Sequence, residues 1–137
     1  MAFFRLMGID YGEVRIGLAL SDPLQIISQP LKVIGNNGDT FSEINKIVKS
    51  EEVGKIILGL PQNLSGEDTK KTIEVREFAE ILKSKVDVPV IFWDERYTSV
   101  EANEELKQMG YTIAESRKVV DKVAASIILK SYMEEQV

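Results

Sequence analysis

Between residues 3 and 34 three apolar runs follow one another with only short turns between them, whereas from residue 40 onward each apolar run is separated from the next by a segment of helical period. The first run, Phe3 to Asp10, breaks at Tyr11-Gly12-Glu13. The second, Val14 to Ser21, places Val14, Ile16, Leu18 and Leu20 on one side and Arg15, Gly17, Ala19 and Ser21 on the other, the period of two that a pleated strand requires. A third strand is expected over Gln25 to Ile34, broken by Gly35-Asn36-Asn37-Gly38. Thr40 with Glu43 has the pattern of a capping box for a helix to about Glu51, and a short buried strand follows over Lys55 to Leu60. Beyond the loop Pro61 to Gly66, the spacing of Val75, Phe78, Ala79, Leu82 and Val86 predicts a helix from Asp68 to Lys85. A fifth strand spans Val88 to Trp93, and Thr98 with Glu101 opens a helix that Gly110 stops after Met109. Residues 111–117 read equally as a loop or a helix start, and the final helix carries Val120, Val123, Ala124, Ile127, Ile128 and Tyr132.

Strands joined by tight turns are antiparallel, and strands joined across helices are parallel with right-handed crossovers. The predicted architecture is therefore α/β: a five-stranded mixed sheet, strands one to three antiparallel and strands one, four and five parallel, flanked by helices. A chain of 137 residues is one domain's worth, 1–137, with a single sizeable core. The C-terminal ends of the three parallel strands share one edge, which is where open α/β sheets build their sites. Asp10, the loop after Leu60, and Glu95 all fall at that edge.

Charge at the end of a buried strand is costly unless something cationic holds it. Asp10 and Glu95 each close an apolar run, and Asp121 precedes Ala124, Ala125, Ile128 and Tyr132 by three, four, seven and eleven residues, hence on the same helical stripe. The chain has no Cys and no His, which excludes disulfides, thiolate zinc, imidazole ligands and His-based triads. Carboxylates alone suit hard, oxygen-loving cations, so Mg²⁺ or Mn²⁺ is the expected cofactor. Two such ions about 3.5–4 Å apart can activate water and stabilise the departing oxygen at a phosphodiester. Asp94, on an extended strand, is expected to face away from Glu95.

The formal net charge of −5 argues against a broad basic surface, although Lys70, Lys71 and Arg76 cluster in one stretch and Arg117, Lys118 and Lys122 surround Asp121. No apolar run approaches bilayer length and the start Met1-Ala2-Phe3-Phe4-Arg5 lacks the features of a signal peptide, so a cytoplasmic protein is expected. Pairing across Gly12-Glu13 would set Asp10 opposite Arg15, Gly8 opposite Gly17 and Leu6 opposite Ala19. Small residues on that face leave room either for a phosphate or metal cluster or for the last helix.

Four motifs together carry a resemblance to a known family: Gly8-Ile9-Asp10-Tyr11-Gly12 with Arg15, Gly17 and Ala19; Gly59-Leu60-Pro61-Gln62-Asn63 with Gly66; Asp94-Glu95-Arg96-Tyr97-Thr98 with Ala102; and Asp121-Lys122-Val123-Ala124-Ala125. The chain resembles, over nearly its whole length, the YqgF or RuvX type of pre-16S rRNA nuclease and Holliday junction resolvase-like protein. The resemblance implies a ribonuclease H-like fold, metal-binding catalytic roles for Asp10, Glu95 and Asp121, and substrate-facing roles for Arg15, Asn63, Gly66, Arg96 and Thr98. One departure is evident. The resolvases after which such proteins are named carry their second acid at the end of strand four, where this chain has Gly59-Leu60-Pro61.

The expected function is a Mg²⁺- or Mn²⁺-dependent nuclease acting on structured nucleic acid, foremost pre-16S rRNA, with a homodimer left open. A resolvase acting on branched DNA is the alternative, as is a non-catalytic nucleic-acid-binding module. An ATP-binding reading, from the likeness of the Asp10-Tyr11-Gly12 turn to the phosphate hairpin of actin-like kinases, is weakened by a length that provides only one such domain.

Overall fold

The structure, a computed structural model, describes residues 3–63, 65–95, 104, 107–110 and 112–136, and within the last helix no side chain of 113–119. Among the described residues the elements run β1 (Arg5–Asp10), β2 (Arg15–Ser21), β3 (Ser28–Gly35), α1 (Thr40–Ser50), β4 (Val53–Leu60), α2 (Lys70–Lys85), β5 (Val90–Asp94) and α3 (Ile113–Glu135). The strands form one sheet in the order β3-β2-β1-β4-β5. β1 pairs antiparallel with β2 and parallel with β4, and β5 pairs parallel with β4, as the order of apolar runs requires.

Alternation along the strands divides the core into two. Met7, Ile9, Ile16, Leu18, Ile56 and Leu58 point to the layer of α1 and α2, where Ile44, Val48, Val75, Phe78, Ala79 and Leu82 close over them. Leu6, Ala19 and Ile57 point the other way, under Ala125, Ile128, Leu129, Tyr132 and Met133 of α3. Both faces of the sheet are therefore covered, the condition under which parallel strands become continuous apolar runs. No helix among the described residues is long and apolar enough to cross a membrane.

The small residues of β1 and β2 serve the last helix. A Cβ on Gly8 would stand 2.6 Å from the Ala125 carbonyl, and one on Gly17 would overlap the backbone of Asp121. Backbone cannot yield as a side-chain tip does, so Gly17→Ala is incompatible with α3 in its place.

Several boundaries differ from the sequence reading, each for a local reason. The hairpin pairs Asp10 with Gly17 and Gly8 with Ala19, two residues from the predicted register. Its connection is four residues, held open because the Asn36 amide donates to the Val14 carbonyl (2.9 Å) and Asn36 Nδ2 to the Gly12 carbonyl (2.9 Å). A slip of two preserves every side chain's face, so the reading of faces survives the error in register. β3 begins at Ser28 and not Gln25, because Asp22 Oδ1 accepts from the amides of Ile26 (2.7 Å) and Ile27 (2.8 Å) and folds that stretch into a turn.

The capping box expected of Thr40 and Glu43 does not form, since the buried Thr40 hydroxyl donates to the Gly35 carbonyl (2.7 Å) and accepts from the Asn37 amide (2.8 Å). α2 begins at Lys70, where Thr69 and Thr72 cap it reciprocally. The box at Thr98 and Glu101 lies outside the described residues, but Gly110 has φ +86° and donates to the Lys107 carbonyl, as a helix-ending glycine does. The ambiguous stretch resolves as helix from Ile113.

Candidate active site

β1, β4 and β5 end together, and the two acids at that edge meet. Asp10 is the last residue of β1, and Glu95 follows β5, its amide donating to the Leu60 carbonyl (3.4 Å). Their carboxyl groups are in hydrogen-bond contact, which requires one of them to carry a proton. Burial raises Asp10 to about 6, opposed by the charge of Lys71 and by the bond from Glu95, and the charge of Asp121 adds to the rise. Burial raises Glu95 further, to about 9, reinforced by the charge of Asp10 and by their shared hydrogen bond. Both carboxyls are raised, and over the interval between the two values the pair holds one proton in common.

Gly59 explains how the second acid can come from β5. A Cβ at position 59 would stand 2.6 Å from Glu95 Oε2, close also to the tip of Ile128. The carboxylate of Glu95 therefore lies over the end of β4, in space that the missing side chain leaves open. Gly59→Ala is expected to displace flexible side-chain ends and not backbone, at a cost of about 1–3 kcal/mol. Because the group displaced is a catalytic candidate, activity should fall much more than stability. Urea denaturation beside a cleavage assay separates the two, and unchanged cleavage would refute this account of Gly59.

Asp121, on α3, is near enough for its charge to act on Asp10, but its Oδ2 accepts from Arg15 Nε at 3.3 Å. The arginine side chain is 58% exposed and the aspartate 24%, so the pair is held at the rim of the site. Arg15 thus pairs with Asp121 and not, as the hairpin reading would have it, with Asp10. Among the described residues no three acidic side chains stand close enough together to hold one ion. Two of the three predicted ligands are in contact, and the third lies within electrostatic reach.

The other predicted residues fall as follows. Asn63 is exposed, and its Oδ1 accepts from the amides of Ser65 (3.0 Å) and Glu67 (2.9 Å), while the Gly66 amide donates to the Asn63 carbonyl at φ +82° for Gly66. Both residues shape the turn between β4 and α2 at the sheet edge. Arg96 and Thr98 lie outside the described residues. Asp94 is exposed, and its charge adds to the rise of Glu95. Arg76, grouped by sequence with Lys70 and Lys71, is committed elsewhere: it bonds both oxygens of Asp68 (3.0 and 3.2 Å), holds that carboxyl below its usual range, and lies over the Phe92 ring. The side chains of Arg117 and Lys118 are not among those described.

Lys71 is the residue that sequence reasoning did not separate from its neighbours. Its charge acts on both Asp10 and Glu95. The available signal was its phase, four and seven residues before the buried Val75 and Phe78.

A half-buried pair of carboxyls in hydrogen-bond contact fits a divalent cation by its chemistry, since the ion can take the place of the shared proton between ligands that are all oxygen. Asp10 and Glu95 would hold it, with Asp121 as the third ligand once turned from Arg15.

The sequence model of a family described as RuvX, Holliday junction resolvase, matches residues 4–135. A relative from Maridesulfovibrio salexigens is 43% identical over 94% of this chain and 97% of its own length, and one from Koribacter versatilis is 39% identical over 95% and 86%. One from Thermoanaerobacter pseudethanolicus is 40% identical over 96% and 97%. All three carry the provisional name pre-16S rRNA nuclease. Among solved structures, RuvC of T. thermophilus in complex with a Holliday junction substrate matches with TM-score 0.59 and 13% identity, covering 97% of this chain and 95% of that one. The Fowlpox virus resolvase with its Holliday junction DNA matches with TM-score 0.58 and 12% identity, covering 98% and 99%. The fold is the ribonuclease H-like one that the element order and the resemblance both led us to expect.

Proposed function

Because the chain belongs to the RuvX family, described as Holliday junction resolvase, we propose that it is a cytoplasmic nuclease, one domain over 1–137, that hydrolyses phosphodiester bonds in structured nucleic acid with the aid of Mg²⁺ or Mn²⁺. Pre-16S rRNA is the foremost substrate, on the strength of the relatives' name. The observation that carries the reading is the half-buried Asp10–Glu95 contact at the C-terminal edge of the sheet.

Asp10, Glu95 and Asp121 are the ligands and the catalytic set in this reading. When bound, the ion supplies a water of lowered pKa and positive charge at the phosphodiester. The chain's own part is to bring the two acids together, to surrender the proton that the pair shares, and to turn Asp121 inward from Arg15. Arg15, freed by that turn, is placed at the rim to meet a backbone phosphate as a planar, bidentate donor. Arg96 and Thr98 follow Glu95 directly in the chain, and Asn63 and Gly66 form the adjacent turn, so these four are proposed to contact the substrate.

Action on branched DNA is a second reading, favoured by the description of the family whose sequence model matches. The two are separated by incubating the protein with a pre-16S RNA fragment and with a four-way DNA junction, each with Mg²⁺, Mn²⁺ or EDTA. Cleavage that needs the metal and is faster on the RNA is expected. Cleavage that persists in EDTA would remove the proposed chemistry, and faster cleavage of the junction would reverse the order of substrates.

A further inference from the structure

α2 leaves the site edge and runs back along the sheet, so its first turn sits beside the ends of the parallel strands. That turn is fixed in place: Thr69 and Thr72 cap one another, and the buried Thr72 hydroxyl donates to the carbonyl of Pro61, the residue after β4. Val75, Phe78 and Leu82 are the buried stripe that packs α2 on the sheet, and Phe78 meets the ring of Tyr11, the residue after Asp10, at 5.0 Å. Lys71 continues the stripe by one turn toward the edge, and it is exposed. Lys70 falls about 100° round the helix, off the stripe.

Two other cations of α2 have partners. Arg76 bonds Asp68 and covers Phe92, and Lys83 pairs with Glu80 at 3.6 Å and covers the same ring. Lys71 forms no salt bridge among the described residues, yet its charge reaches both half-buried carboxyls. It stands on the first turn of α2, beside the ends of the parallel strands and in the layer opposite α3, within electrostatic reach of the acid pair.

Resting on the nuclease reading above, we propose that Lys71 is a ligand of the scissile phosphate, placed over the sheet edge so that its ammonium meets the phosphodiester from the α2 side while the Asp10–Glu95 pair meets it from the α3 side. The same placement gives Lys71 a second, opposite consequence. As a cation beside the ligands it repels a divalent ion in the free protein. Removing it should therefore tighten metal uptake and weaken cleavage together, a combination that loss of a merely structural residue does not produce.

The test uses the full chain with Lys71→Ala, Lys71→Gln and Lys71→Arg, all at an exposed position where the fold should be retained, checked by thermal unfolding. Titration calorimetry with Mn²⁺ alone should show Ala and Gln binding about 3- to 10-fold tighter than wild type. Cleavage at saturating Mn²⁺ should fall about 50-fold or more in kcat/KM for both, while Arg keeps wild-type Mn²⁺ affinity and most of the activity. Any other pattern in folded variants overturns the assignment of Lys71. Should the wild type itself neither take up Mn²⁺ nor cleave either substrate, the nuclease reading fails first, and that result is distinct from wild-type behaviour in the Lys71 variants.

Discussion

Replacing Asp10 with Asn is expected to reduce cleavage by about 10³-fold or more, equivalent to about 4 kcal/mol of transition-state stabilisation, without destabilising the metal-free protein. The asymmetry follows from the contact at the sheet edge. Asp10 and Glu95 lie together in a half-buried place, with pKa values raised to about 6 and about 9, so at pH 8 the free protein carries a negative charge on the pair that desolvation opposes. An amide at position 10 can still bond Glu95 but no longer repels it. The variant should lose the catalytic site and gain on the order of 1 kcal/mol at pH 8, read as a higher urea midpoint at unchanged slope. Retained cleavage, or a clear drop in the midpoint, would show that Asp10 serves the fold and not the chemistry.

The second large effect is on pH. Both carboxyls titrate higher in the folded chain than in the unfolded one, from 3.8 to about 6 for Asp10 and from 4.5 to about 9 for Glu95. The folded state therefore binds more protons than the unfolded state over those intervals, and stability must decline as pH rises through them. The contribution is complete below about pH 4, falls first with Asp10 and then with Glu95, and is exhausted above about pH 9. Metal-free protein should consequently be less resistant to urea at pH 8.5 than at pH 5.5. Millimolar Mg²⁺ or Mn²⁺ should restore the loss at the higher pH and do little at the lower one, because ligation requires the proton to leave. Denaturation curves at the two pH values, with metal and with EDTA, decide it. A metal-free protein that gains stability between pH 5.5 and 8.5 would contradict the buried pair.

Much of this was legible in the chain. The change from turn-linked to helix-linked strands was enough to order the sheet and to set β1, β4 and β5 parallel, and that alone brought Asp10 and Glu95 to one edge. Alternation identified the face of each side chain correctly even though the hairpin register was two residues out, because loop length is decided by contacts such as Asn36 with Gly12 and Val14 that no local pattern announces. Thr40 was misread for a similar reason: its hydroxyl is claimed by the preceding loop before the helix can use it. In the site, composition restricted the ligands to carboxylates, yet the direction of Asp121 was invisible, since its partner Arg15 is 106 residues away. The difference between Lys71 and Arg76 also depended on tertiary partners, the acid pair for one and Asp68 with Phe92 for the other.

The empty position at the end of β4 has a bearing on how such sites diversify. One volume above the sheet can be filled by a side chain rooted at position 59 or by one arriving from position 95, and a side chain at 59 displaces the end of Glu95. An acid transplanted to position 59 should thus be tolerated only when Glu95 is trimmed to a small residue, and the double exchange could rebuild a working constellation that neither single exchange permits. Migration of a catalytic group between neighbouring strands would then need no change of backbone, only a swap of which strand is bare.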